Sequence, residues 1–240
     1  MQTGEEFASY TLDELRESHY EIAASIMKRI RPLEQFTNYI NHGCYPFFQE
    51  SLIDYNQKLL EVINLTIDSD LSTIYNIKPS KIDKLKKILY MLCTTKPFEL
   101  NISKLSSAVG ASWPTLAKYL ERMDAGSLIH IVRGGVGMRA VNKPDKLLLD
   151  NPNFFRILCG DANSGSIRES YFVSQLGLAH QVHFFDKGDF IVDDKFVFEV
   201  GGASKTNKQL QNNDCGYVVA DNIEIGFDNK IPLWLFGFLY

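Results

Sequence analysis

The first 76 residues place apolar side chains at helical spacing. Three helical segments follow from this pattern, at residues 11–30, about 33–43 and about 51–74. Thr11 with Glu14 three positions later forms a capping box at the start of the first segment, and Pro32 interrupts the stripe. We therefore expect residues 1–76 to form a helical subdomain that is apolar inside and acidic outside.

The pattern of residues 77–148 predicts two helices, a tight turn, a third helix and a hairpin. Ser103 is expected to cap the second helix and Gly110 to end it; Ser112 caps the third, with Pro114 in its first turn, where a missing N–H is harmless. The other predicted elements are a helix at 81–94, a strand at 128–132, a turn at 133–137 and a return strand at 138–141. This order is typical of a winged helix-turn-helix.

Residues 149–240 change from helical spacing to period-two alternation. The predicted elements are a helix at 167–176, strands at about 181–185, 189–193 and 196–200, a helix at about 204–211, a strand at 216–220 and a buried apolar tail. The order αβββαβ is that of the restriction-endonuclease-like core. The fold class expected for the whole chain is therefore mixed α/β (α+β), in three parts.

Two carboxylates stand inside the otherwise apolar strands of this last block. Asp189 and Glu199 would cost free energy there unless they are paired or bind a cation. Carboxylates on neighbouring strands can together hold Mg²⁺, which prefers oxygen ligands. The alternative is an edge hairpin with solvated acids.

The same residues resemble the metal motif of the PD-(D/E)XK nuclease superfamily. Asp189 matches its Asp, and Glu199 begins its Glu-x-Lys, but Gly201 stands where the lysine belongs. The resemblance implies that Lys205 reaches back to handle the attacking water and that Glu169 supplies a further acid. The candidate catalytic residues are thus Glu169, Asp189, Glu199 and Lys205, with Asp189 and Glu199 as ligands of Mg²⁺.

Charge is unevenly distributed along the chain. Residues 1–76 carry a net charge of −7, residues 77–147 a net charge of +8, and residues 148–240 a net charge of −5. A basic block between acidic ones indicates a module that faces nucleic acid. The expected contacts to duplex DNA are Trp113, Thr115, Lys118, Arg122, Arg133 and Arg139. The alternative is that this block packs against another protein domain or subunit.

Several other classes of site are excluded by their spacing. No apolar run reaches the ~20 residues of a membrane span, and no membrane partner is expected. Gly202 to Thr206 lacks the glycines of a P-loop, so the chain alone should not hydrolyse ATP. His180 and His183 are expected to be incidental to a strand. Four widely separated cysteines are expected to be reduced thiols in a cytoplasmic protein.

The blocks together resemble the C-terminal two-thirds of a bacterial and archaeal family of AAA-type ATPases, which joins an archaeal-type ATPase module to a C-terminal domain of unknown function. The resemblance is carried by residues 30–48, 102–123, 165–173, 189–190, 199–202 with Lys205 and Gln209, and 229–240. It implies that residues 1–76 complete a helical lid, that residues 77–148 form the winged helix and that residues 149–240 form the nuclease-like domain. It also places the P-loop, and with it ATP, in a module upstream of Met1.

The function favoured by these observations is DNA binding as the effector region of an AAA-type ATPase, without ATPase activity of its own. The first alternative is a Mg²⁺-dependent DNA endonuclease. Because Gly201 replaces the motif's lysine, we expect weak metal binding, with slow cleavage or none. The second alternative is a protein-interaction or regulatory module with inert domains, and self-association remains open.

Overall fold

The computed structural model describes residues 4–94, 101–134, 144–160, 162–206, 210 and 215–240. Its fold is mixed α/β, as expected. Contacts divide the chain into two units, which we name by their main features. The sheet unit comprises residues 1–39 with 171–240, and the hairpin unit comprises residues 40–170. The sheet unit joins two segments that are distant in sequence, whereas the hairpin unit is one continuous segment.

The helices and strands have the following bounds. The helices are α1 (Leu12–Met27), α2 (Pro32–His42), α3 (Tyr55–Leu65), α4 (Pro79–Thr94), α5 (Ile102–Val109), α6 (Trp113–Ala125), α7 (Pro152–Leu158) and α8 (Ser164–Leu176). The strands are β1 (Ile129–Val132), β2 (Lys146–Leu149), β3 (Val182–Phe184), β4 (Phe190–Val192), β5 (Phe196–Gly201), β6 (Gly216–Ala220) and β7 (Lys230–Pro232). A π-helical segment (Thr66–Leu71) and one α-helical turn (Ser72–Ile74) continue α3, and 3₁₀ segments lie at Pro46–Gln49 and Leu233–Phe238.

Local capping rules explain several helix ends. The capping box of Thr11 and Glu14 is present at α1, and Gly110 ends α5 in the left-handed conformation with φ of 58°. The predicted cap at Ser103 is wrong. Asn101 caps α5 instead, because its side-chain oxygen accepts the backbone N–H of Ser103 at 2.8 Å.

The hairpin unit packs α3 to α7 around one apolar core that also receives β1 and β2. The two strands pair antiparallel, with Ile129 opposite Leu149. The predicted return strand at 138–141 lies outside the described residues, and the strand that pairs with β1 in the structure is Lys146–Leu149. Buried Asn153 ties this unit together: its Oδ1 accepts the Cys44 N–H at 2.8 Å and its Nδ2 donates to the Ile40 carbonyl at 2.7 Å.

The cysteine prediction is wrong for two of the four residues. Cys93, at the end of α4, and Cys159, just after α7, form a disulfide in the structure, with 5.8 Å between their Cα atoms. That separation lies within the usual disulfide range. Cys44 and Cys215 form no disulfide with a described residue. The prediction of a cytoplasmic location rested on four reduced thiols, and the disulfide removes that support.

The sheet unit contains a five-stranded mixed sheet in the order β3-β4-β5-β6-β7. The first two pairings are antiparallel and the last two are parallel. One face is aromatic: the Phe172 ring lies 5.5 Å from that of Phe190, 5.3 Å from that of Phe198 and 5.1 Å from that of Phe236. Within the same unit, helix α1 contacts β5 through Arg16, whose guanidinium lies 3.7 Å from the centre of the Phe196 ring.

The other face of the sheet has a smaller apolar cluster of Val197, Val218, Ala220 and Leu210. After β5 the chain makes a turn at residues 203–204, so the helix predicted from Ser204 does not begin there; its later part lies mostly outside the described residues. In the part of the chain that the structure describes, no helix is both long enough and apolar enough to cross a membrane.

Candidate functional site

The pairing of β4 with β5 brings the two predicted carboxylates together. Phe190 is opposite Phe198, so the same register sets Asp189 opposite Glu199. The Asp189 N–H donates to the Phe198 carbonyl at 3.0 Å, and the Asp189 Oδ2 accepts the Val200 N–H at 2.8 Å. Because side chains alternate along a strand, both carboxylates lie on the face opposite the aromatic core.

Both carboxylates are buried, with 6% of Asp189 and 1% of Glu199 exposed. Glu199 is paired with a lysine: its Oε1 lies 2.7 Å from the Lys205 Nζ. Among the described residues its Oε2 has no hydrogen-bond partner and no access to solvent. A buried carboxylate oxygen without a partner costs free energy, so this atom is a natural ligand for a cation.

Lys205 reaches this position because Gly201 has no side chain. A Cβ added at Gly201 would lie 2.8 Å from both Cγ and Cδ of Lys205, closer than such atoms approach. The stem of Lys205 therefore occupies the space beside the strand where a side chain of residue 201 would begin. Lys205 thus reaches Glu199 from a position six residues further along the chain.

Glu169, the fourth predicted catalytic residue, has a different environment. It belongs to the hairpin unit, where its Oε2 accepts from the buried Lys146 ammonium at 2.9 Å. This contact gives Glu169 a structural role that the sequence did not suggest. In the described part of the chain, no group of three or more His, Cys, Asp or Glu side chains could hold a metal ion.

The predicted DNA-contacting residues of α6 differ in exposure. Lys118 is exposed, and the Thr115 hydroxyl lies 3.2 Å from that of Ser112. Trp113 is partly buried against the core of the hairpin unit instead of facing out, because its indole covers apolar side chains. Arg122 is half-buried, with its guanidinium 5.0 Å from the centre of the Tyr75 ring.

Two further predicted contacts follow β1 in the sequence. Arg133 is half-buried directly after β1, and Arg139 lies outside the described residues. Some lysines that contribute to the basic charge have structural partners. The Lys84 Nζ donates to the Gly110 carbonyl at 2.6 Å, and Lys86 pairs with Asp68 at 2.9 Å. These two lysine ammonium groups are therefore engaged within the protein.

A partly buried polar cluster lies at the end of β2. Burial raises the pKa of Asp150, although nearby His130 acts in the opposite direction. Burial also raises the pKa of Tyr45 to about 12. The Tyr45 hydroxyl accepts from Asn151 at 3.2 Å, and Asn151 also caps α7. These contacts join the 3₁₀ segment to the hairpin, and we assign them a structural role.

His180, one member of the predicted histidine pair, contacts a carboxylate. The His180 Nδ1 lies 2.6 Å from the Asp193 Oδ2, so this contact links the residues just before β3 and just after β4. A residue that the sequence analysis missed is Lys230, whose ammonium contacts the backbone near Lys205. It lies within the segment 229–240 that carried the family resemblance, but no spacing rule connects it to the site.

A family model described as a domain of unknown function, DUF8612, matches residues 33–151. No curated protein and no solved structure matches the chain. The matched segment includes α3 to α6 with the β1–β2 hairpin, and it ends before the sheet that contains Asp189 and Glu199. The function must therefore be inferred from the residues themselves.

Proposed function

We propose that this chain cleaves phosphodiester bonds of DNA with a divalent cation held by Asp189 and Glu199. The observation that carries the proposal is the 2.7 Å contact of the Lys205 ammonium with Glu199, beside a buried Glu199 oxygen that lacks a described partner. Sequence reasoning favoured an inert site because Gly201 has no side chain. The position of Lys205 supports the active alternative, since it supplies the missing ammonium.

The donor set fits Mg²⁺ or Mn²⁺. Mg²⁺ typically binds to one or two protein carboxylates and takes its remaining ligands from waters and substrate phosphates. Asp189 and Glu199, on adjacent strands, supply such a pair. When bound, the ion would polarise the phosphate and lower the pKa of its water.

Lys205 has two roles in this proposal. Its ammonium neutralises Glu199 in the free protein, which reduces the cost of burying that carboxylate. With substrate present, the same ammonium donates to a phosphate oxygen or to the attacking water, and so stabilises negative charge that develops in the transition state. The 34% exposure of its side chain leaves it accessible to substrate.

DNA binding through the hairpin unit, with an inert sheet site, is the second candidate function. It is supported by the helix-turn-helix order of α5, Gly110 and α6, followed by the β1–β2 hairpin. The exposed Lys118 on α6 is consistent with a phosphate contact. In this reading the chain is the effector region of an AAA-type ATPase, with residues 1–76 as lid, 77–148 as winged helix, 149–240 as nuclease-like domain and ATP bound by a separate module.

Cleavage of a labelled DNA duplex with Mg²⁺ or Mn²⁺ tests the first candidate. We expect slow, cation-dependent cleavage that Glu199→Gln reduces by at least 100-fold, since one group of a charge-stabilising site is typically worth ~10²–10³ in rate. Glu224→Gln is the matched control, because Glu224 is an exposed acid of the same unit. Calorimetric titration with Mn²⁺ should show binding that Asp189→Asn removes.

The outcomes separate the candidates. DNA binding without cation-dependent cleavage would refute the first and support the second. If the protein neither binds nor cleaves DNA, both candidates are refuted and the remaining alternative is a protein-interaction or regulatory module. Equal rates for wild type and Glu199→Gln would assign any observed cleavage to a contaminant or to another site.

A further inference from the structure

Lys230 holds the turn from which Lys205 projects. It is the first residue of β7, two strands away from β5 in the sheet. Its Nζ donates to the Ala203 carbonyl at 2.6 Å and to the Lys205 carbonyl at 3.2 Å. None of the described acidic side chains forms an ion pair with Lys230, so its charge is directed at the backbone of this turn.

The turn itself is short and closed. The Lys205 N–H donates to the Gly202 carbonyl at 2.9 Å, and the Asp221 N–H donates to the Gly201 carbonyl at 2.8 Å. The second bond extends the β5–β6 ladder to the start of the turn. Because the Lys230 ammonium donates to the Ala203 and Lys205 carbonyls, the backbone on both sides of the Lys205 Cα is fixed relative to the sheet.

We propose that Lys230 is a positioning residue that sets the place of the Lys205 ammonium in the candidate cleavage site. The inference rests on the proposed function for its effect on catalysis. The Lys205 stem passes so close to Gly201 that a Cβ at residue 201 would lie only 2.8 Å from its Cγ and Cδ atoms. The backbone position of Lys205 therefore decides whether its Nζ reaches Glu199. Displacements of about 1 Å can cost ~100-fold in rate.

Three variants test the catalytic effect. Lys230→Met, which keeps the apolar stem and removes the donor, should lower kcat about 10- to 100-fold and leave KM within twofold. Lys230→Arg should restore most of the activity because it keeps charged N–H donors. Lys187→Met, at an exposed lysine of the same unit, should behave as wild type. Equal kcat in Lys230→Met and Lys187→Met would overturn the inference.

Amine labelling tests the same inference without activity. Brief acylation followed by peptide mass spectrometry should modify Lys205 severalfold faster in Lys230→Met than in wild type, because the released turn frees the Lys205 ammonium from Glu199. Labelling of the exposed Lys187 should stay constant. If Lys230→Met fails to fold by circular dichroism, Lys230→Leu, which also lacks a donor, replaces it in both assays.

The two readouts separate the two proposals. If Lys205 is labelled faster in Lys230→Met but the wild-type protein does not cleave DNA, the proposed function is refuted and the positioning role of Lys230 is supported. Unchanged Lys205 labelling in Lys230→Met would overturn the positioning role, whether or not the wild type cleaves DNA.

Discussion

The buried ion pair of Lys146 and Glu169 supports a quantitative prediction for stability. Lys146 lies on β2 and Glu169 on α8, with their charged atoms 2.9 Å apart and side chains 1% and 7% exposed. Lys146→Met removes the ammonium and keeps most of the stem. Glu169 then stays buried without the ammonium.

The expected cost is large because desolvation of the carboxylate is no longer offset by this lysine. Removing one partner of a buried pair typically costs about 3–5 kcal/mol. For a chain of this length each kcal/mol lowers Tm by about 2–4 °C, so Tm should fall by roughly 6–20 °C. Lys146→Met with Glu169→Leu removes both charges and should recover most of the loss, since apolar replacement of a buried pair is often close to neutral.

Thermal and urea unfolding of the variants provides the measurement. Lys81→Met is the control, because Lys81 is an exposed lysine of the same unit, and it should change Tm by less than 2 °C, within ~0.5 kcal/mol of wild type. A similarly small change for Lys146→Met would refute the reasoning. The double variant also bears on catalysis: if it folds and cleaves DNA at the wild-type rate, Glu169 is structural and not part of the cleavage site.

The remaining predictions concern the disulfide, the turn and DNA binding. Replacing Cys93 and Cys159 by Ser should cost about 4 kcal/mol for a 66-residue separation, and dithiothreitol should lower the urea midpoint of wild type toward that of the variant. An unchanged midpoint in dithiothreitol would argue against the crosslink. Gly201→Ala should lower kcat at least ~10-fold by displacing Lys205, and unaltered kcat would show that the close approach is unimportant. If about four phosphates are contacted, log affinity for duplex DNA should fall with log salt at a slope of roughly −3.6, and Lys118→Glu should make the slope shallower; a flat dependence would contradict phosphate binding.

Much of the local structure could be predicted from the sequence because it depends on neighbouring residues. The capping box at Thr11 and Glu14 and the left-handed end of α5 at Gly110 involve contacts within a few positions. The strands β3 to β6 were predicted to within one or two residues, since alternation of apolar and polar side chains directly reflects a sheet with two distinct faces.

The centre of the candidate site was also accessible from the sequence. Asp189 and Glu199 lie on consecutive strands joined by a tight turn, and an antiparallel hairpin necessarily brings such positions together. Lys205 is close in sequence to Glu199, so one short turn of the backbone is enough to bring its side chain back to that carboxylate. What the sequence did not reveal is that a side chain at residue 201 would obstruct that return.

The longer-range contacts were decided by tertiary structure alone. Lys146 pairs with Glu169, Cys93 with Cys159, and Lys230 with the turn at residues 203–205. Their partners are separated by 23 to 66 positions, and no periodicity links the two members of each pair. The sequence shows which side chains carry charge or a thiol, but packing of whole helices and strands determines which of them meet, because each contact forms only after many other residues have been placed.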